Sequence, residues 1–101
     1  MKLYIAGPMT GIENLNFPAF HREAAYFRGQ GHEVVNPAEI NTDPHAQWHI
    51  CMRADIREMV TCDSIAMLPG WEKSKGARIE HRLAQDLEIK VIYLVREAVP
   101  A

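Results

Sequence analysis

The sequence predicts an α/β fold, in which a parallel sheet of about four strands lies between two layers of helices, as in three-layer Rossmann-like and flavodoxin-like domains. The order of segments along the chain predicts it. Short apolar segments alternate with longer amphipathic ones along the chain, and this alternation is typical of parallel strands joined by right-handed helical crossovers. The chain has 101 residues, of which 48% are hydrophobic, and we expect residues 1–101 to form a single domain with a modest core.

The first half of the chain contains two predicted strands and one predicted helix. The segment Lys2 to Ala6 predicts a short buried strand, and the glycine-bearing segment Gly7 to Gly11 ends it with a sharp turn. A helix is expected from about Phe17 to Gly29, because aromatic side chains recur on one face, and Asn16 is its expected cap. Glu33 to Val35 predicts the second strand.

The second half of the chain continues the alternation. The polar segment up to about Gln47 is the longest irregular stretch and a candidate lid. The elements predicted after it are a helix from about Trp48 to Val60, a strand from Asp63 to Leu68, a helix from Ser74 to about Leu87 and a strand from Lys90 to Val95. The turns after the first and third strands then share one edge of the sheet, where folds of this type bind ligands.

Two carboxylates lie inside the apolar faces of predicted helices. At 100° per residue, Glu80 falls within the apolar arc of the last helix, and Asp55 falls within that of the helix before it. A carboxylate that faces a core is costly unless it is paired or opens into a cavity. Glu80 is therefore a candidate functional acid, or else a structural acid paired with a buried arginine or backbone donors. The apolar residues around Glu80 are Ile79, Leu83, Ala84 and Leu87.

The start of the last helix is a candidate anion site. Ser74 is a good N-cap, and Gly76 and Ala77 leave backbone N–H groups of the first turn open to a phosphate. A plain cap without a ligand remains the alternative for Ser74. Trp71, just before this helix, either stacks on a nucleobase or packs in the fold.

Charge and composition exclude several classes of partner. The formal net charge is −2 at pH 7 and no cluster of lysines or arginines occurs, so we expect no binding of duplex nucleic acid. Neither a signal peptide nor a membrane span is expected, and Cys51 and Cys62 lack metal or redox spacing, which favours a cytoplasmic protein with reduced thiols. The five histidines show no metal-ligand spacing. We predict neither a metal site nor a cofactor.

A set of short segments carries a resemblance to a known family. Its most specific part is the pattern Ser-x-Gly-x-x-x-Glu from Ser74 to Glu80, which follows an Asp-bearing helix and an Asp-led strand. The set consists of residues 4–11, 36–39, 54–56, 62–65 and 74–80. Together they resemble the nucleoside 2-deoxyribosyltransferase superfamily, and within it a small branch found in phages and bacteria.

The resemblance implies roles for five residues. Glu80 corresponds to the nucleophile that attacks the anomeric carbon of a nucleoside or nucleotide, and Asp55 to the acid that assists the leaving base or holds the sugar. Tyr4 corresponds to the tyrosine that orients the nucleophile. Ser74 corresponds to the serine that binds a 5′-phosphate in the nucleotide-hydrolysing relatives, and backbone groups near Gly7 line the same pocket. The N-terminal half of a helix and a hydrogen bond from Tyr4 favour the ionised form of Glu80, whereas burial opposes it.

Two classes of function follow. The first is an enzyme that cleaves or transfers at the N-glycosidic bond of a (deoxy)nucleoside or its 5′-monophosphate. The second is a catalytically silent nucleotide-binding module that serves as a sensor or a phage or host interaction protein. One departure from the family pattern is Arg78, where hydrolysing relatives carry a second glycine. A homodimer or larger homo-oligomer is expected, since Trp48, Met52 and Met59 offer more apolar surface than a small monomer easily covers.

Overall fold

The computed structural model describes residues 1–40, 43 and 45–94. The strands are β1 (Lys2–Ala6), β2 (Glu33–Val35), β3 (Ser64–Met67) and β4 (Lys90–Tyr93). The helices are α1 (Phe17–Gly29), α2 (Pro37–Ile40), α3 (Trp48–Met59) and α4 (Lys75–Asp86). All neighbouring strands pair in parallel, in the order β2-β1-β3-β4. The predicted α/β fold with a four-stranded parallel sheet is confirmed.

The side chains of β1 alternate between two apolar clusters on opposite faces of the sheet. Leu3 and Ile5 join the cluster that contains Phe20 and other residues of α1. Tyr4 and Ala6 join the cluster that contains residues of α3 and α4. Successive side chains of a strand point to opposite faces, so β1 is buried on both sides and the fold has three layers.

The order of the strands places a topological switch point between β1 and β3. The chain goes from β1 through α1 to β2 on one side, and then through α3 to β3 on the other. Gly7 and Leu68 follow these two strands, and a Cβ atom added at Gly7 would lie 2.6 Å from the Leu68 Cβ. Only glycine permits this approach. The resulting crevice lies at the carboxyl ends of the strands, where parallel sheets bind their ligands.

The start of α1 differs from the expectation in one respect. Asn16 occupies the position before the helix but has a left-handed backbone, with φ 61°, and makes no capping hydrogen bond. An N-cap side chain normally works from an extended backbone. The Asn16 side chain instead donates a hydrogen bond to the carbonyl oxygen of Pro8 at 2.9 Å, and it thereby ties α1 to the turn after β1.

Part of the predicted irregular segment is helical. Asn36 is buried, and its Oδ1 accepts the N–H of Ala38 at 3.0 Å, which begins the short helix α2. Arg28 of α1 binds Glu39 of α2 with an N–O distance of 2.7 Å. Part of the candidate lid, namely residues 41, 42 and 44, lies outside the described residues. The predicted end of the fourth strand at Val95 and the tail also lie outside them.

The buried side of α4 is narrower than its apolar pattern suggests. Ala77, Glu80 and Ala84 are buried, whereas Ile79 is 40% exposed and Leu87 50% exposed. The expectation that these larger side chains face the core is therefore wrong. Alanine side chains let the helix axis approach the sheet closely, which leaves the bulky residues on its flank.

Candidate active site

A tyrosine and a glutamate meet in the interior of the domain. Tyr4 lies on the central strand β1 and is fully buried, and Glu80 on α4 is 5% exposed. The Tyr4 hydroxyl donates a hydrogen bond to Oε2 of Glu80 at 2.5 Å. The structural alternatives for Glu80 required an arginine or backbone donors, but its partner here is a phenol.

The environment of Glu80 favours its neutral form. Burial raises the pKa of Glu80 to about 8, although the Tyr4 hydrogen bond acts to lower it, and the charge of Asp55 raises it further. The pKa of Tyr4 is also raised, first by burial and then by Glu80 and Asp55. Of the opposing effects expected at Glu80, burial is the larger in the free protein.

Asp55 faces the same region from helix α3. It is 7% exposed, and its charge contributes to the raised pKa values of Tyr4, Glu80 and Cys51. Such electrostatic effects require short separations in a poorly hydrated environment. The two inward carboxylates predicted from helical periodicity therefore converge on one site.

A cavity of about 320 Å³ opens above these side chains at the carboxyl ends of the strands. Seven of the eight residues proposed from the sequence line it: Tyr4, Gly7, Asp55, Ser74, Gly76, Ala77 and Glu80. Its apolar walls come from the turn after β1 and from α1 and α3. They include Met9, Leu15, Phe17, Phe20, Trp48 and Met52. A small ligand with one flat apolar part and one polar part fits such a lining.

Trp71 is the proposed site residue that does not line the cavity. Its ring stacks on His81 with a centroid distance of 4.1 Å and lies 6.1 Å from the ring of Tyr93 in β4. The Nε2 atom of His81 is 2.7 Å from the Tyr93 hydroxyl oxygen. Trp71 thus belongs to an aromatic cluster beside β4, which agrees with packing in the fold, the alternative to stacking on a nucleobase.

The first turn of α4 is arranged differently from the simple anion site expected. Ser74 caps the helix, since its Oγ accepts the N–H of Ala77 at 3.2 Å. That donor is consequently engaged, and Ala77, which is 1% exposed, lines the cavity as a buried residue. The N–H groups of Lys75 and Gly76 precede the first intrahelical bonds, so they are the better candidates for contact with an anion.

Gly76 also sets how closely α4 and α3 approach each other. A Cβ atom at Gly76 would lie 2.9 Å from Met52 Sδ and 3.7 Å from the Trp48 ring. The absence of a side chain therefore brings the helix that carries Glu80 against the helix that carries Asp55.

Sequence reasoning missed several lining residues. Asp43 adds a third carboxylate from the irregular segment, where its Oδ1 accepts the N–H of His45 at 2.9 Å. Thr10 also lines the cavity. Its position in the glycine-bearing turn after β1 was the sequence feature from which this placement could have been predicted. In the described part of the chain, no group of three His, Cys, Asp or Glu side chains is placed to bind a metal ion. No helix there is long and apolar enough to cross a membrane.

Comparisons with known proteins agree with this fold. A 2-deoxyribosyltransferase from the psychrotolerant bacterium Bacillus psychrosaccharolyticus has a similar structure, with a TM-score of 0.71 and 19% sequence identity. The similarity covers 92% of this chain and 71% of that chain. A search of curated proteins found no significant match. The family model described as "Domain of unknown function (DUF4406)" matches residues 1–93, and the chain belongs to this family.

Proposed function

We propose that this protein cleaves or transfers at the N-glycosidic bond of a (deoxy)nucleoside or nucleoside 5′-monophosphate through a covalent glycosyl-glutamate. The observation that carries the proposal is the hydrogen bond between Tyr4 and Glu80 inside a cavity that Asp55 also lines. A displacement with retention at a sugar uses one carboxylate as nucleophile and a second acidic group nearby. The similarity in fold to a 2-deoxyribosyltransferase supports the same class of reaction.

In the first step the ionised Glu80 attacks the anomeric carbon. A bond forms between a carboxylate oxygen and this carbon, and the bond from the carbon to the base nitrogen breaks. The proton that Glu80 holds in the free protein passes to Asp55 when the ligand binds, and Asp55 then supplies it to the departing base. Tyr4, already hydrogen-bonded to Oε2, keeps the carboxylate oriented while formation of the ester bond neutralises its negative charge.

In the second step an acceptor releases the sugar from Glu80. Water or another base attacks the anomeric carbon, the ester bond breaks and Glu80 becomes a carboxylate again. Asp55, now ionised, takes the proton of the acceptor. The nature of the acceptor separates hydrolysis from transfer.

The lining of the cavity suits a nucleoside bound in one particular orientation. Aromatic and apolar walls, such as Phe17 and Trp48, suit the flat base, and the buried acids suit the sugar. Ser74 and Gly76 lie at the start of α4, where the helix dipole favours a 5′-phosphate. We also propose that the chain belongs to the small phage and bacterial branch that its motifs resemble.

The direct test is a screen of nucleosides and their 5′-monophosphates for released free base, separated by chromatography at pH 7 and pH 8.5. Base release by the wild type and its loss in Glu80→Gln are expected. Asp86→Asn is a matched control, because Asp86 lies on the same helix but is exposed. Unchanged release by Glu80→Gln would contradict the proposed nucleophile.

A specific observation also favours the second candidate, a catalytically silent nucleotide-binding module. The pKa of Glu80 is raised to about 8, so most molecules carry a neutral Glu80 at pH 7, and a neutral carboxyl group is a poor nucleophile. Nucleotide binding by calorimetry without base release at pH 7 or at pH 8.5 would favour this module over the enzyme.

A further inference from the structure

The cavity of the candidate active site adjoins a second cavity along the same edge of the sheet. The second cavity is formed by the turns after β1 and β3 and by the start of α4. Four residues line both cavities and form their common wall: Thr10, Trp48, Ser74 and Gly76. Two neighbouring cavities that share four lining residues can hold two parts of one ligand.

The charges of the two cavities are opposite. Of the described residues, the acidic and basic ones that line the first cavity are Asp43, Asp55 and Glu80, of which Glu80 is mostly neutral at pH 7. Those that line the second are Lys73 and Lys75. A phosphate group is repelled by the first lining and attracted by the second. The phosphate chain of a bound nucleotide would therefore leave the acidic cavity across the common wall.

The position of Lys75 connects the two spaces. Its Nζ lies 4.4 Å from the centre of the Trp48 ring, which is part of the common wall. This cation–π contact spans from the start of α4 to the start of α3. The ammonium group is thus held at the boundary, on the path that a phosphate chain would take.

From this charge separation we infer that the second cavity is a subsite for the distal phosphate of a nucleoside 5′-diphosphate or a similar extended phosphate ester. The inference rests on the proposed function for the placement of the nucleoside in the first cavity. The first phosphate lies at the wall beside Ser74 and Gly76, and the second lies between Lys73 and Lys75. The substrate class is then wider than nucleosides and monophosphates.

Calorimetric titration tests the subsite without any turnover. The ligands are deoxyadenosine, its 5′-monophosphate and its 5′-diphosphate. The protein in every titration carries Glu80→Gln, so that no ligand is turned over during the measurement. Inorganic pyrophosphate and inorganic phosphate serve as probes that do not depend on the base. We expect about tenfold tighter binding of the diphosphate than of the monophosphate, and a smaller gain at high salt because exposed charges are screened.

Charge-neutral variants assign the gain to the two lysines. Lys73→Met with Lys75→Met should abolish the preference for the diphosphate and for pyrophosphate. Lys90→Met removes the same charge from β4, where Lys90 pairs with Ser64 far from this edge, and should leave the preference intact. Thermal melting of each variant shows whether it is folded.

The outcomes separate the subsite from the proposed chemistry. A diphosphate preference that depends on the two lysines, together with no base release by the wild type, supports the subsite and contradicts the enzyme. Base release with equal binding of monophosphate and diphosphate overturns the subsite alone. Failure of all the nucleotides and of pyrophosphate to bind also overturns it, as does an equal effect of Lys90→Met.

Discussion

The hydroxyl group of Tyr4 donates a hydrogen bond to Glu80 over 2.5 Å, although 76 positions separate the two residues in the chain. The contact exists because Tyr4 of β1 points to the face of the sheet on which α4 packs, and because Ala77 and Ala84 allow this helix to pack closely. It holds a buried carboxyl group in one orientation at the bottom of a cavity. A carboxyl group that is buried, oriented and reachable from a cavity is suited to chemistry.

Replacement of Glu80 by glutamine should abolish chemistry and preserve binding. Glutamine keeps the size and much of the hydrogen bonding but cannot form the glycosyl ester. We expect base release to fall by about a thousandfold or more, with little change in ligand affinity. Intact-protein mass spectrometry of the wild type with a slow substrate should show a sugar adduct, which Glu80→Gln lacks.

Tyr4→Phe should shift the pH profile rather than simply remove activity. The hydrogen bond from Tyr4 lowers the pKa of Glu80, so its loss should raise that pKa further and move the rise in rate to higher pH. A merely structural role would lower the rate equally at every pH. Loss of a buried hydrogen bond should also reduce the free energy of unfolding by about 1 kcal/mol or somewhat more, measured with urea.

Stability should depend on pH through Glu80. Its pKa is raised from 4.5 to about 8 in the folded protein, so the native state binds a proton more tightly than the unfolded state does. The contribution of Glu80 to the free energy of unfolding should therefore be highest below pH 4.5. This contribution should fall as the pH rises to about 8. Urea unfolding at pH 6 and pH 9 measures the decrease.

The Glu80→Gln variant is the control for that measurement. Glutamine does not titrate, so the decrease between pH 6 and pH 9 should be much smaller in the variant. An equal decrease in both proteins would assign the effect to other groups.

Gly7→Ala should destabilise the fold. The added Cβ would lie 2.6 Å from the Leu68 Cβ, and overpacking of this kind costs about 1 to 3 kcal/mol. Gly29→Ala is the matched control, because nothing lies within 4 Å of its added Cβ. Equal unfolding free energies for the two variants would show that the turns after β1 and β3 can move apart at no cost.

We expect the protein to associate in solution, although Met52 and Met59, two of the three side chains on which the sequence-based expectation rested, are buried within the domain. Ile79 and Leu87 on α4 are 40% and 50% exposed, and Ile50 and Val60 near α3 are 51% and 47% exposed. Where such side chains form one contiguous patch, the patch commonly marks an interface. Light scattering at micromolar concentration should give a mass above the 11.5 kDa of one chain. Leu87→Glu should lower that mass without loss of the native circular dichroism, and a monomeric wild type would contradict the expectation.

The order of strands and helices followed from local sequence. The alternation of apolar strands and amphipathic helices depends on residues close together in the chain, as do the glycine turns and the Ser74 cap. Helical periodicity likewise showed that Asp55 and Glu80 face inward, because 3.6 residues per turn fix the direction of each side chain relative to its neighbours. These features needed no knowledge of distant contacts.

The tertiary structure decided what surrounds each of these side chains. Only the packing of α4 on β1 made Tyr4 the partner of Glu80 and raised the pKa of that carboxyl group to about 8. Packing beside β4 directed Trp71 to His81 and away from the cavity. Burial, pKa and access to a cavity depend on residues brought together from distant parts of the chain, so a local pattern cannot determine them.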